Sequence, residues 1–368
     1  MIKQIPQKQL INFWPYFKEH QLLNLLAQNL AWSKVEGYLD DFENPDVIMF
    51  MCQQWAYFLA GNNRSVNLTE FLAKIPEKTF IYVPSQKWEA SLKSQWTYTG
   101  YFTRTALSAQ NLSLQKIQHL LTPLPEGFQL KKLDIEVAHQ ILTQNFADHW
   151  VNVINYLGGP EKFVEEGVGY CIQLKEDNKI VSFVMGFTSS IPLTHSVELD
   201  ILTHPDYRGR DFATIVSAKL IEYLLKEKIE PHWDAANPRS TKLAIKLGYT
   251  DPSPYKCYYW RRSPWTISDL KENFEPQFNK GLENLHLLKS KISTFKQKKK
   301  GVEGSFSFLS RLTKIEETFN QIFSDLNRFL DSRIVNEPDV PQFKKFCKKL
   351  RQQLDAIEKL KNEIGNPD

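Results

Sequence analysis

His204-Pro-Asp-Tyr-Arg-Gly-Arg-Asp-Phe-Ala213 is the stretch whose reading decides the fold. It follows a strand-like run, Ser196-Val-Glu-Leu-Asp-Ile-Leu-Thr203, and opens into a segment from Thr214 to Lys228 with the apolar spacing of an amphipathic helix. A strand, a short basic glycine turn and a helix start together make an anion site. The backbone N–H groups of the turn and the positive end of the helix dipole converge on one spot, where Arg208 and Arg210 add full charges. Gly209 lets the backbone approach a ligand where a side chain would obstruct it. Taken alone, such a turn is more often a solvated connection, so the downstream sequence decides.

Downstream lies Pro231-His-Trp-Asp-Ala-Ala-Asn237, short and strand-like, and then Pro238-Arg-Ser-Thr-Lys-Leu-Ala-Ile-Lys-Leu-Gly-Tyr249. The second segment reads as a helix with proline in its first turn and Gly248 at its stop. In this order the two segments resemble the GNAT N-acetyltransferases. Their acetyl-CoA loop, Arg/Gln-x-x-Gly-x-Gly/Ala, maps onto Arg208-Gly-Arg-Asp-Phe-Ala213. Their later Asn-x-x-Ser/Ala-x-x-Leu-x-x-Lys-x-Gly-Phe/Tyr segment maps onto Asn237, Ser240, Leu243, Lys246, Gly248 and Tyr249. In the N-terminal part, Val35-Glu-Gly-Tyr-Leu-Asp-Asp41, Asn44-Pro45 and Tyr57-Phe-Leu-Ala-Gly61 resemble the GNAT subgroup that includes zwittermicin A resistance acetyltransferases. The resemblance covers about residues 30–262 and does not reach the carboxyl tail.

The resemblance implies acetyl-CoA as co-substrate and no metal. Ile201, Leu202 and Thr203 would offer backbone groups to the pantetheine arm. Arg208, Gly209, Arg210, Asp211, Phe212, Ala213 and Thr214 would hold the pyrophosphate, and Asn237 and Ser240 would line the arm further on. Two departures stand out. Asp211 occupies a position where many GNAT loops have glycine, and its carboxylate there either repels pyrophosphate or points outward. Ala244 stands where many GNAT enzymes have the tyrosine that protonates the leaving thiolate, so Tyr249, Tyr255, Tyr258 or solvent would have to serve.

Residue types set the rest. Glu198 and Asp200 are two apart on a strand, so their side chains share one face. Either carboxylate can take the proton of an attacking amine, Glu198 being favoured because it lies further from the pyrophosphate loop. The plainer alternative makes both polar groups on a half-exposed strand. Asn237 also suits a helix N-cap, a role compatible with the first. His195, His204 and His232 lack partner motifs and read as structural. The aromatic segment from Phe146 to Gly159, with Trp150 and Tyr156, reads as part of the acceptor wall or as ordinary helix packing.

At 368 residues the chain has room for two or three domains with real cores. No apolar run approaches the roughly 18 residues that span a bilayer, and Met1 to His20 lacks a signal-peptide apolar stretch, which points to a cytoplasmic protein without a membrane partner. The four cysteines are far apart and form neither a disulfide frame nor a zinc site. A net charge of +4 gives no nucleic-acid footprint.

The fold expected is α/β: a GNAT mixed sheet flanked by helices over 125–262, preceded by a degenerate GNAT-like α/β lobe over 1–124 and followed by an all-α region over 263–368. Pro123-Leu-Pro125 reads as the linker. In the lead region a helix is expected over Gln9–Gln28 and strands over Val47–Cys52, Trp55–Ala60 and Thr79–Pro84. In the tail, apolar residues at Phe278, Leu282, Leu285, Ile292 and Phe295, at Leu312 to Phe329, and at Phe343 to Ile364 mark three helices. They would join near Gly301–Gly304 and Asn336–Pro338 as a three-helix bundle. Lys296-Gln-Lys-Lys-Lys300 suits the C-terminal end of the first of them better than nucleic acid.

Three functions stand on this sequence. One is an N-acetyltransferase acting on a primary amine of a small, antibiotic-like molecule by direct attack in a ternary complex. Another is a catalytically weak GNAT-fold binding or regulatory module whose tail mediates protein–protein interaction. The last is a protein acetyltransferase whose tail, residues 263–368, recruits its target; the same tail also suits a homo-oligomer.

Overall fold

The computed structural model describes residues 2–53, 55–143, 154, 158–297 and 302–365. Two compact units divide the chain. One comprises Met1–Gln95 with Phe102–Tyr259, the other Trp96–Tyr101 with Trp260–Asp368. The described strands are β1 Lys3–Ile5, β2 Val35–Leu39, β3 Val47–Cys52, β4 Ala56–Gly61, β5 Phe80–Tyr82, β6 Tyr98–Ser108, β7 Phe128–Lys132, β8 Gly167–Leu174, β9 Ile180–Phe187, β10 Ser196–Glu198, β11 Asp200–Thr203, β12 Glu230–Ala235 and β13 Thr250–Arg261. They form one nine-stranded sheet, β1-β2-β3-β4-β5-β13-β6-β12-β10, and one four-stranded sheet, β11-β9-β8-β7.

Hydrophobic runs decide where these strands lie. β3 (Val-Ile-Met-Phe-Met-Cys) and β4 (Ala-Tyr-Phe-Leu-Ala-Gly) are apolar on both faces and buried nearly throughout, as central strands covered on both sides must be. β8 and β9 form a hairpin closed at Lys175–Lys179, where Asn178 takes the left-handed conformation its short amide side chain tolerates. The core beside the candidate site packs the Phe212–Lys226 helix, through Phe212, Val216, Leu220 and Leu224, against Val184, Val197, Leu199 and Trp233. A second core, with Val137, Ile141, Phe163, Phe183 and Met185, covers the other face of β8 and β9.

The helix expected over Gln9–Gln28 is instead a 3₁₀ stretch, Gln7–Phe17, followed by a separate α-helix, Leu23–Ala31. Pro15 cannot donate within a helix, and His20 is drawn inward between them. The His20 ring is buried against Phe17 and Phe58 and bonds the Leu59 carbonyl through Nε2 at 3.0 Å. Burial lowers its pKa from 6.5 to about 4, the hydrogen bond to Leu59 only partly opposing. The folded state therefore holds His20 neutral while the unfolded chain protonates it, so stability is full above about pH 6.5 and falls as pH drops toward 4. The loss is about 3 kcal/mol. A His20→Gln variant should show a flatter dependence of denaturation midpoint on pH between 4 and 6.5; an unchanged slope would contradict the assignment.

In the second unit, helices at Ile267–Asn273, Glu275–Gln297, Val302–Asp331 and Val340–Gly365 account for most of the described residues. Thr266 and Asp269 cap the first reciprocally. The apolar seam expected there is buried at Phe278, Leu285, Ile292, Phe319, Leu326, Phe346, Leu350 and Ile357. Phe278 packs on Phe319 and Phe346 with ring centroids 5.1 and 4.9 Å away. Gly281 gives the Phe319 ring its room, since a Cβ there would meet that ring. Most of the lysine run ending at Lys300, and Gly301, lie outside the described residues.

Candidate active site

The run expected as one strand, Ser196–Thr203, is two. β10 pairs in parallel with β12, Glu198 opposite His232, and Leu199 still donates to the His232 carbonyl. From Asp200 onward the chain pairs only with β9, Asp200 opposite Met185 through Thr203 opposite Ser182. β12 continues to Ala235 on the edge of β6 instead. The two sheets therefore part at Leu199, leaving alternate peptide groups of β11 and of Trp233–Ala235 facing an open wedge. Gly186 makes the crossing possible. A Cβ there would strike the Val197 side chain and sit 2.6 Å from the Glu198 carbonyl oxygen. Gly186→Ala should cost about 1–3 kcal/mol through overpacking, measured by urea denaturation, and unchanged stability would argue against so tight a crossing.

Past Thr203 the chain makes a single 3₁₀ turn, Pro205–Tyr207, and then the basic loop. Arg208 Nε donates to the Thr203 carbonyl at 3.2 Å, tying the loop to the end of β11. The Arg210 guanidinium lies over the Tyr207 ring, 5.4 Å from its centroid. Gly209 has φ +77° and Asp211 φ +59°, so the loop takes the left-handed conformation at both positions. Asp is among the few residues that accept this conformation in place of glycine. The Asp211 carboxylate is turned to Lys246, 2.6 Å away on the Pro238–Leu247 helix, and that pairing offsets the charge it would set against an anion. No side chain caps the Phe212–Lys226 helix, so its first-turn N–H groups are left for a ligand or water. The loop fits a pyrophosphate on these grounds.

On the other face of β10, β12, β6 and β13 lies a polar cluster. The Glu198 carboxylate spans the start of the wedge: Oε1 accepts the Asp234 N–H at 3.0 Å, and Oε2 contacts His232 Nδ1. Glu198 thus occupies the place where a strand partner of β12 would have been. Asp234 is buried and takes Arg104 Nε on one oxygen and the Tyr255 hydroxyl on the other, each at 2.5 Å. Burial and Glu198 push the Asp234 carboxyl upward while Arg104 pulls it down; with direct contacts on both oxygens the carboxylate is the ionised partner, and Arg104 is held firmly protonated. Asp200 is exposed at the open end of the wedge, yet hemmed by protein. That loss of surrounding water, more than the nearby Glu198 charge, raises its carboxyl to about 6, against the opposing pull of Arg104 and of the Ile201 N–H.

A model of the GNAT acetyltransferase family matches residues 16–258. The chain belongs to this family. An uncharacterized N-acetyltransferase of Bacillus subtilis, YdfB, is 28% identical over 236 residues, covering 60% of this chain and 84% of its own length. A GCN5-related N-acetyltransferase-like protein from Streptococcus suis is 25% identical with a TM-score of 0.54, covering 69% of this chain and 98% of its own. The fold is the GNAT fold, a mixed sheet flanked by helices, here with a C-terminal helical region, and the chain is an N-acetyltransferase of a family that uses acetyl-CoA. Among the described residues no helix is long and apolar enough to cross a membrane, and no group of three His, Cys, Asp or Glu side chains is arranged to hold a metal.

In this GNAT acetyltransferase the residues singled out by sequence fall into distinct places. Ile201, Leu202 and Thr203 form the wedge edge of β11, with Thr203 Oγ1 bonded to Ser182 Oγ at 2.8 Å. Arg208 to Asp211 make the loop, whereas Phe212 is a core side chain that brings only its backbone to the helix start; Ala213 and the buried Thr214 complete that first turn. Asn237 is the N-cap, its Oδ1 accepting the Ser240 N–H at 3.0 Å, and Ser240 Oγ accepts from the Trp233 indole. Tyr249 is buried against Trp233, with its hydroxyl donating to the Pro231 carbonyl at 2.7 Å. That partner and the lack of water remove it from thiolate chemistry. Ala244 is fully buried, so this helix face packs the core and leaves no space for a tyrosine. Of the expected acceptor wall, residues 146–153 and 155–157 lie outside the described residues.

Arg104 and Asp234, and the contact that His232 makes, were not expected from sequence. Arg104 sits on β6, an eleven-residue strand whose mixed Tyr-Thr-Gly-Tyr-Phe-Thr-Arg-Thr-Ala-Leu-Ser pattern hides its period. A charged Asp234 between Trp233 and Ala235 in the short strand Glu230–Ala235 was the one available signal.

Proposed function

We propose that this chain moves the acetyl group of acetyl-CoA to a primary amine of a small molecule, by direct attack in a ternary complex. The observation that supports this reading is the opening between β11 and β12, with an anion-binding loop at one side and paired carboxylates at the other. The pyrophosphate rests on the N–H groups of residues 208–214 with Arg208 and Arg210, and the pantetheine arm lies along Ile201–Thr203, near Asn237 and Ser240. An amine reaching the thioester carbonyl from the acidic face meets Glu198 and Asp200. Glu198 supplies the basic function and Asp200, exposed, receives the incoming ammonium. Holding both reactants in register supplies much of the acceleration, so only proton removal is asked of the side chains. The Tyr255 hydroxyl donates to Asp234, and burial and that carboxylate raise its pKa, so the leaving thiolate takes its proton from water.

Antibiotic-like amines as acceptors rest on the subgroup resemblance alone, as does cytoplasmic action on the sequence. We further propose that residues 1–124 are a degenerate GNAT-like lobe, 125–262 the catalytic domain, and 263–368 a helical module for self-association or a protein partner. Incubation with acetyl-labelled CoA tests the substrate class. Label entering added small amines, with thiol released in equal amount, is expected; label entering only protein would favour the protein-acetylating alternative instead.

A further inference from the structure

We propose that Glu198 and His232 act as one acid–base unit, in which Glu198 orients the imidazole and His232 Nε2 takes the proton of the attacking amine. The inference rests on the acetyl-transfer reading and deepens it by moving the proton-accepting atom from the carboxylate to the ring. Both Glu198 oxygens are engaged, Oε1 by the Asp234 amide at 3.0 Å and Oε2 by His232 Nδ1. A carboxylate only accepts, so Nδ1 carries the hydrogen and the neutral ring presents its lone pair at Nε2. Glu198 lies opposite His232 in the β10–β12 register, so the contact is fixed by backbone pairing rather than by a chance rotamer. The His232 side chain keeps 19% of its surface in contact with solvent.

The chemistry balances. The amine nitrogen forms the bond to the acetyl carbon, the carbon–sulfur bond breaks, the amine proton passes to Nε2, and the thiolate leaves to take a proton from water. The imidazolium then returns its proton to solvent. The charged groups around the ring are Glu198 on β10 and Asp234 and Glu230 on β12; Arg104 on β6 and Tyr255 on β13 reach the same face through Asp234. Burial alone would lower the pKa of His232, but Glu198, followed by Asp234 and Glu230, outweighs it and raises the pKa above 6.5. The acid limb of the rate profile should therefore lie above 6.5, whereas an ordinary histidine gives 6.5 and the Asp200 carboxylate would set it at about 6.

Imidazole nitrogen NMR on the full-length chain, with His232→Gln to assign the signal, reads the unit directly. Expected are the Nδ1–H tautomer and a midpoint above 6.5 that falls by about one unit or more in Glu198→Gln. An Nε2–H tautomer, or a midpoint indifferent to Glu198, overturns the proposal. Thiol release from acetyl-CoA with benzylamine and spermidine as acceptors reads its use. His232→Gln should lower kcat by roughly 10²-fold and erase the acid limb, with KM for acetyl-CoA and the circular dichroism spectrum unchanged. A His232→Gln enzyme that keeps the wild-type rate and limb shows Glu198 to be the base and overturns the proposal. Absence of turnover in the wild-type chain with both amines overturns the acetyl-transfer reading, and the inference with it, whatever tautomer the NMR finds.

Discussion

Glu198→Gln should lower kcat by roughly 10²- to 10⁴-fold, the range found when a positioned acid–base group is removed, while leaving the KM for acetyl-CoA near its wild-type value. The amide keeps the size of the side chain and one oxygen for the Asp234 N–H, so the wedge stays open. Its NH₂ group, however, donates toward His232 Nδ1 and so favours the opposite tautomer of the ring. A loss confined to kcat places the effect in the chemical step. If the variant instead kept its rate, Glu198 would be only the filler of a missing strand contact, and Asp200 would be left as the base. The pH profile separates these outcomes, because the Asp200 carboxyl, raised to about 6, would impose its own limb there.

Joint replacement Arg208→Ala and Gly209→Trp should abolish the stabilisation that acetyl-CoA gives the folded chain. A ligand present at 100 times its Kd stabilises by about 2.7 kcal/mol, which in a protein of this size raises Tm by a few degrees. Gly209 has φ +77°, which a tryptophan adopts only under strain, and its bulk would fill the space the loop leaves for phosphate. Removing Arg208 takes away a full charge and the tie from its Nε to the Thr203 carbonyl. The wild-type rise, absent in the variant, is read from melting curves with and without ligand. An equal rise in both would place the nucleotide elsewhere. The Tm of the ligand-free variant records any cost to the fold separately.

Sequence exposed the loop well because its physics is local. A glycine, two arginines and an uncapped helix start lie within seven residues, and the strand before them is set by alternation alone. Asp211 was legible as a departure but not in its resolution: the pairing with Lys246 joins residues 35 apart, through two helices whose packing no local pattern states. The split at Leu199 was hidden for a related reason. Val197, Leu199 and Ile201 keep one apolar face throughout, so the period is unbroken while the pairing partner changes from β12 to β9. Gly186, the residue that permits the exchange, lies on a different strand. Arg104 and Asp234 are 130 residues apart and meet only because β6 and β12 are neighbours. His232 read as structural because its partner, Glu198, comes from the opposing strand. Tyr249 fits a family motif by spacing, but the side-chain direction that buries it is a tertiary property.

The most direct test of an acetyl-CoA site at the β11 loop is a calorimetric titration of the full-length chain with acetyl-CoA. Micromolar binding, about −8 kcal/mol, is the expected result. No heat of binding at millimolar ligand would contradict a working nucleotide site between the loop at Arg208–Asp211 and the edge of β11.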